Sequence, residues 1–310
     1  MVDFRFSQVD VFSAVPHGGN PLAVVHDAAE LTDEQMAQFA SWTNLSETAF
    51  LLPPEDERAD YRVRIFTPQE ELPFAGHPTL GSARAWLAAG GALRRDGTVV
   101  QECGAGLITV LSDDDGLSFS APPLRRSGEV ESSTLAVATE ALGLKPGDVQ
   151  GANWVDNGPG WLGIVLADAK TVLALEPDAA LIAEHDLRLG VFGPHEPGRD
   201  ADVEVRAFVP TEHGMREDPV TGSLQAGFGT WLIRAGVAPE EYTAAQGTAI
   251  GRSGRVRVRS DGQDVWVGGT AEVTITGIVS FCDLSRAGSS RAPSPWPAHR
   301  PACPSSGPAA

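Results

Sequence analysis

The sequence predicts an α+β protein made of two pseudo-equivalent halves, each wrapping short strands around one apolar helix. Three observations lead to this expectation. In 310 residues, 34 Gly and 23 Pro enforce frequent turns and short elements. At an offset of 146, Glu71, Pro73, Gly76, Gly81, Leu87 and Gly90 match Glu217, Pro219, Gly222, Gly227, Ile233 and Gly236. At an offset of 142, Arg64-Ile65-Phe66-Thr67-Pro68 matches Arg206-Ala207-Phe208-Val209-Pro210, so both copies read strand, Pro-containing loop, Gly turn, apolar helix.

The elements follow in order. Phe4, Phe6, Val9 and Val11 alternate as a strand does, and Leu22-Ala23-Val24-Val25 reads as another. Between them Pro16-His17-Gly18-Gly19-Asn20-Pro21 is a turn-rich loop and a candidate active-site edge. Thr32-Asp33-Glu34-Gln35 resembles a capped helix start, with Met36, Phe39, Ala40 and Trp42 as its apolar face. Thr48 to Leu52 and Tyr61 to Phe66 read as strands, which places Glu47 at a helix-to-strand junction. From His77 to Ala89 the pattern is helical, with Pro78 suited to the first position and Gly90-Gly91 as the stop. The expected domains are 1–125 and 126–283, with the boundary in Ala121 to Gly128. Residues 284–310 read as a disordered Pro-, Ser- and Ala-rich tail, a composition that cannot bury a core.

Composition narrows the function. Hydrophobic residues at 42% and charged residues at 21% are ordinary for a globular protein. A net charge of -18 argues against nucleic acid as a partner, because such binding needs Lys and Arg to neutralise phosphates. An anionic substrate would then need local positive potential, which helix N-termini can supply. Cys103, Cys282 and Cys303 are widely spaced, with no C-x-x-C and no His spacing suited to zinc, so no disulfide framework and no metal site is expected. The first residues lack a signal-peptide pattern and no apolar run is long enough to span a membrane, so a cytoplasmic protein with no membrane partner is expected.

The chemistry-bearing candidates cluster at the repeat. Backbone N–H groups at Gly76-His77 and Gly222-Ser223, each opening a helix, would form a seat for a carboxylate. Either glycine could equally serve only a tight turn. Glu47 lies between apolar stretches: exposed, it is a surface charge, but desolvated it would hold its proton to higher pH, as a general acid/base requires. Asp218 precedes the second helix, where the dipole favours an anion, and His77 holds the equivalent place in the first half. Ser223 is not in a G-x-S-x-G elbow, which sets hydrolysis below proton transfer, and no phosphate-cradling motif supports nucleotide binding.

With these residues in view, the chain resembles the phenazine-biosynthesis isomerase (PhzF-like) family, which shares the diaminopimelate epimerase-like fold. The resemblance rests on ordered blocks: Gly19-Asn20-Pro21-Leu22-Ala23-Val24-Val25, Ser46-Glu47-Thr48-Ala49-Phe50, Arg64 to Pro68, Glu71 to Thr79, Glu217 to Ser223, and Gln246-Gly247 with Gly251-Arg252. It implies two barrel-like sheets around central helices, a homodimer, and neither metal nor organic cofactor. It implies Glu47 as acid/base supported by His77, Asp218 and Ser223, with Asn20, Ser46, Gly76, Thr221 and Gly222 contacting the substrate. Related epimerases use two cysteines where this chain has His77 and Ser223, so thiol-based racemisation is not expected. Val220 and Leu224 stand where small alanines are common in the family, and Gly251-Arg252-Ser253-Gly254 lacks a frequent proline, changes expected in the second-half wall of the site.

The function expected is a cofactor-independent isomerase that moves a proton on a small carboxylate-bearing substrate by general acid/base catalysis between the halves. Two alternatives compete with it: a non-catalytic small-acid binding protein, and a dehydratase or lyase using the same base.

Overall fold

Strand pairing in the computed structural model of the protein, which describes residues 1–282 apart from Asp115, Glu212 and His213, displays the internal repeat directly. The tail from 284 onward, with Cys303, lies outside the described residues. The first half contributes β1 Val2–Val11, β2 Asn20–Val25, α1 Asp33–Thr43, β3 Thr48–Leu52, β4 Tyr61–Phe66, β5 Glu71–Leu72, α2 Gly76–Ala88, β6 Thr98–Cys103, β7 Gly106–Asp113 and β8 Gly116–Ser120. The second contributes β9 Arg126–Gly128, α3 Ser132–Ala141, β10 Val149–Asp156, β11 Trp161–Leu166, α4 Ala169–Leu173, α5 Ala179–Glu184, β12 Arg188–Pro194, β13 Val203–Thr211, β14 Gly214–Glu217, α6 Gly222–Arg234, β15 Glu241–Gln246, β16 Gly254–Ser260 and β17 Val265–Gly269. A last strand, β18 Ala271–Phe281, returns to β1.

All 18 strands belong to one sheet. Followed through its hydrogen bonds, it runs β18, β1, β2, β3, β4, β6, β7 and β8, then β17, β16, β15, β13, β12, β11, β10 and β9. The short strands β5 and β14 flank β4 and β13. The order is therefore the same from either side of the β8–β17 junction. Parallel pairs recur at matching places, β2–β3 and β4–β6 in one half, β11–β12 and β13–β15 in the other.

Each half-sheet curls around its own helix. The helix α2 packs on β1, β2, β3, β6, β7, β8 and β18, and α6 on β10, β11, β16 and β17. Both are buried on several faces, as a helix enclosed by strands must be. Their bounds repeat at the offset of 146, and the glycines after each, Gly90 and Gly236, take φ of +95° and +68°. The halves meet in one core, where Leu80 and Ala83 of α2 share a cluster with Leu224 and Phe228 of α6. Outer helices cover the sheet: α1 packs over Phe4, Val25 and Phe50, and α3 to α5 cover β11 and β12.

Two expectations need correction. The helix α1 starts as the sequence indicates, with Thr32 and Gln35 exchanging capping bonds of 3.3 and 3.0 Å, but Trp42 is not part of its buried face. It is 79% exposed, because the buried side of α1 carries Met36, Ala37 and Ala40 and Trp42 falls on the opposite side. There Trp42 stacks on Phe39 and borders an open groove with Phe6, Leu45 and Ile278. The helix α2 begins at Gly76, so Pro78 is its third residue and not its first. No helix of the described residues is long and apolar enough to cross a membrane.

Candidate functional site

The N-termini of α2 and α6 abut each other. A Cβ placed on Gly76 would sit 3.1 Å from Gly222 Cα, and one on Gly222 would sit 3.2 Å from Gly76 Cα and 3.3 Å from His77 N. Only glycine at both positions lets the helix ends approach this closely. Neither helix has a side-chain cap, so both positive dipole ends converge on one place.

Local sequence explains how each side chain reaches that place. The helix α1 ends at Asn44 in the left-handed region, with φ of 54°, and a short turn carries Ser46 and Glu47 to the start of β3. The loop before Asn20 is held from inside by Asp10, whose Oδ1 accepts from Gly19 N at 3.0 Å. From outside, Arg252 donates to the carbonyls of His17 and Gly19 at 2.9 and 3.4 Å. Asn20 then stands at the start of β2, fully buried.

In both halves a bidentate Arg–Glu pair ties together the two strands that lead into the central helix. Arg64 grips Glu71 at 2.7 and 2.6 Å, and Arg206 grips Glu217 at 3.1 and 2.7 Å. Each guanidinium also lies over a phenyl ring, Phe66 and Phe208 respectively. The repeated residues thus mark a repeated structural tie, which delivers Gly76 and Asp218 to the junction.

Asp218 is the more heavily bonded of the two carboxyls. Its Oδ1 accepts from Ser46 Oγ at 3.2 Å and Asn20 Nδ2 at 3.3 Å, and its Oδ2 from Thr221 Oγ1 at 2.6 Å. Burial pushes its pKa up, and these bonds together with the nearby Arg216 charge oppose the rise. Glu47 has no comparable set of donors. Its side chain is 17% exposed, and its Oε2 lies 3.3 Å from His77 Nδ1. Burial first, then the Asp218 charge, push the Glu47 carboxyl up to about 8, while Arg216 pulls the other way. Asp218 thus has donors that favour its ionised form, whereas the raised Glu47 carboxyl lacks them. His77, buried and near Arg216, is held down to about 3 and stays neutral.

The structure brings together Asn20, Ser46, Glu47, His77, Asp218 and Thr221, with Gly76, Gly222 and Ser223 at the helix ends. Thr221 is turned away from open space: it bonds Asp218 and accepts from Gln246 Nε2 at 2.8 Å. Sequence reading gave no role to three supporting residues. Gln246, fully buried, also accepts from Thr221 N at 3.1 Å and Gln225 Nε2 at 3.0 Å. Trp161 Nε1 donates to Ser223 Oγ at 2.9 Å, and Asn157 Nδ2 to Ser223 O at 2.8 Å. The only available signal was their position, just past the strand equivalent to β1. Val220 and Leu224 do not form an open wall; both are fully buried, facing Gly254 and Gly190. Among the described residues no cluster of three His, Cys, Asp or Glu is arranged to hold a metal.

The α+β fold, one large sheet around two repeat-related helices, matches a known class. The family model described as phenazine biosynthesis-like protein (PhzC-PhzF) matches residues 9–277, and the chain belongs to this family of isomerases. The chain is 33% identical over 262 residues to a trans-2,3-dihydro-3-hydroxyanthranilate isomerase of Pseudomonas aeruginosa, covering 83% of this chain and 91% of that protein. It is 36% identical over 295 residues to a Schizosaccharomyces pombe protein named antisense-enhancing sequence 1, covering 89% and 99%. A crystal structure of a PhzF-family protein from Enterococcus faecalis superposes with a TM-score of 0.74 at 26% identity, covering 90% of this chain and all of that one.

Proposed function

We propose that this isomerase transfers a proton between two carbons of a small carboxylic acid bound where α2 and α6 meet, with Glu47 as the acid/base. The observation that carries this is a buried carboxyl, raised to about 8, beside the paired helix ends. The substrate carboxylate would rest against the amides of Gly76, His77, Gly222 and Ser223. Ionised Glu47 takes the proton as the C–H bond breaks, and the electron pair spreads toward the carboxylate, whose growing charge faces those amides. Protonated Glu47 then returns the proton to a different carbon, so no atom is gained or lost.

A pKa near 8 leaves roughly a tenth of Glu47 ionised at pH 7, a poise suited to both accepting and donating. Asp218, its acceptor sites occupied, serves as a fixed negative charge that raises Glu47. Neutral His77, with Asn20 Nδ2 at 3.5 Å from Nδ1, can accept a hydrogen bond from protonated Glu47 at that nitrogen while staying neutral itself. Trp161 turns the Ser223 hydroxyl so that its hydrogen is free for the ligand. The name of the Pseudomonas relative makes cyclic hydroxy and amino carboxylic acids the first class to try.

The test is proton NMR in deuterated buffer with a panel of such acids. Site-selective exchange by the wild type and its loss in Glu47→Gln are expected. Exchange undiminished in the variant refutes the role of Glu47, and ligand binding without exchange of any acid identifies a binding protein instead.

A further inference from the structure

Arg216 is a cation at the rim of this site. Strand alternation fixes its direction: Glu217 turns toward Arg206, so Arg216 and Asp218 turn to the other face of the chain. The residue opposite Arg216 on β13, Val209, packs on the central cluster shared by α2 and α6, as does Ala207, whose carbonyl accepts from Asp218 N. Arg216 is exposed, and no described residue gives it a hydrogen bond or ion pair. Its charge nonetheless acts on Glu47, His77 and Asp218 alike. Neither nearby carboxyl bonds it: Asp218 is held by three other donors, and Glu47 Oε2 faces His77 Nδ1 at 3.3 Å.

The repeat does not require a cation here. Subtracting the offset (216 − 146 = 70) gives Glu70 in the first half, which is exposed and of opposite sign. An anion approaching a chain of net charge -18 is repelled from most directions, so an unpaired guanidinium beside the helix ends decides what can dock there. The helix ends already provide for one carboxylate, and a guanidinium fork matches another.

We propose that Arg216 forms a second anion subsite, and that the substrate is a small dicarboxylic acid with one carboxylate on the helix ends and the other on Arg216. This rests on the reading of the site given above and deepens it.

The experiment compares a panel of dicarboxylic acids with their monoamides, by deuterium exchange and by calorimetric binding to the non-exchanging Glu47→Gln protein. Wild type is expected to prefer diacid over monoamide by about 10- to 100-fold in KM and Kd, as a charge-assisted bidentate contact provides. In Arg216→Gln that preference should collapse, with kcat far less affected than KM, and Arg216→Lys should restore part of it. The exchange rate of Arg216→Gln should also reach its plateau at higher pH, since the removed charge holds the Glu47 carboxyl down. A wild type that exchanges monoacids as readily as diacids overturns the second subsite but leaves the isomerase reading intact. A preference for diacids that survives in Arg216→Gln assigns the second anion elsewhere and also overturns it.

Discussion

Glu47→Gln should make the protein more stable at alkaline pH while abolishing exchange. A carboxyl raised from 4.5 to about 8 binds a proton in the folded state across an interval in which the unfolded chain has released it. Folding stability therefore falls as pH rises from about 4.5 to 8, by about 1.4 kcal/mol per pH unit, and levels off above. Across the interval the loss approaches about 5 kcal/mol, an upper bound because Asp218 shares the same local field. Glutamine has nearly the same shape and no charge, so this part of the pH dependence disappears. Urea unfolding at pH 5, 6, 7, 8 and 9 measures it: the difference in stability between variant and wild type should be small at pH 5 and grow steadily to pH 8. Parallel pH curves for the two proteins would show that Glu47 is not desolvated and would remove the physical basis for its role.

The equivalent ion pairs should differ in worth. Arg206 and Glu217 are 7% and 8% exposed while Arg64 and Glu71 are 24% and 42%, so Glu217→Gln should cost about 3 to 5 kcal/mol in urea unfolding and Glu71→Gln at most about 1. Equal losses would mean that the ties act through strand geometry and not through charge burial. Gly222→Ala inserts a methyl group 3.2 Å from Gly76 Cα, so the helix ends must separate. Exchange should fall about 100-fold with a stability loss of only about 1 to 3 kcal/mol, and full activity would show that the helix ends do not seat the ligand.

Much of the scaffold was written in the sequence. The offsets of 146 and 142 located both central helices to within a residue, because glycine stops and apolar spacing act over a few neighbours. The same repeat pointed to Gly76 and Gly222, and the family blocks pointed to Glu47, His77, Asp218 and Ser223. Tertiary structure decided the properties of those residues. Two of the three donors that occupy Asp218 come from Asn20 and Ser46 in the other half of the chain, and the indole on Ser223 comes from Trp161. Likewise Trp42 reads as part of an apolar face yet lies in the open, on the side of α1 away from Met36 and Ala40. The sequence alone determined where a helix begins and which glycine opens it, since these are local. Only the folded structure decided that the Glu47 carboxyl is pushed up and that Arg216 has no bonded partner among the described residues, because desolvation and charge neighbours depend on segments far apart in the chain.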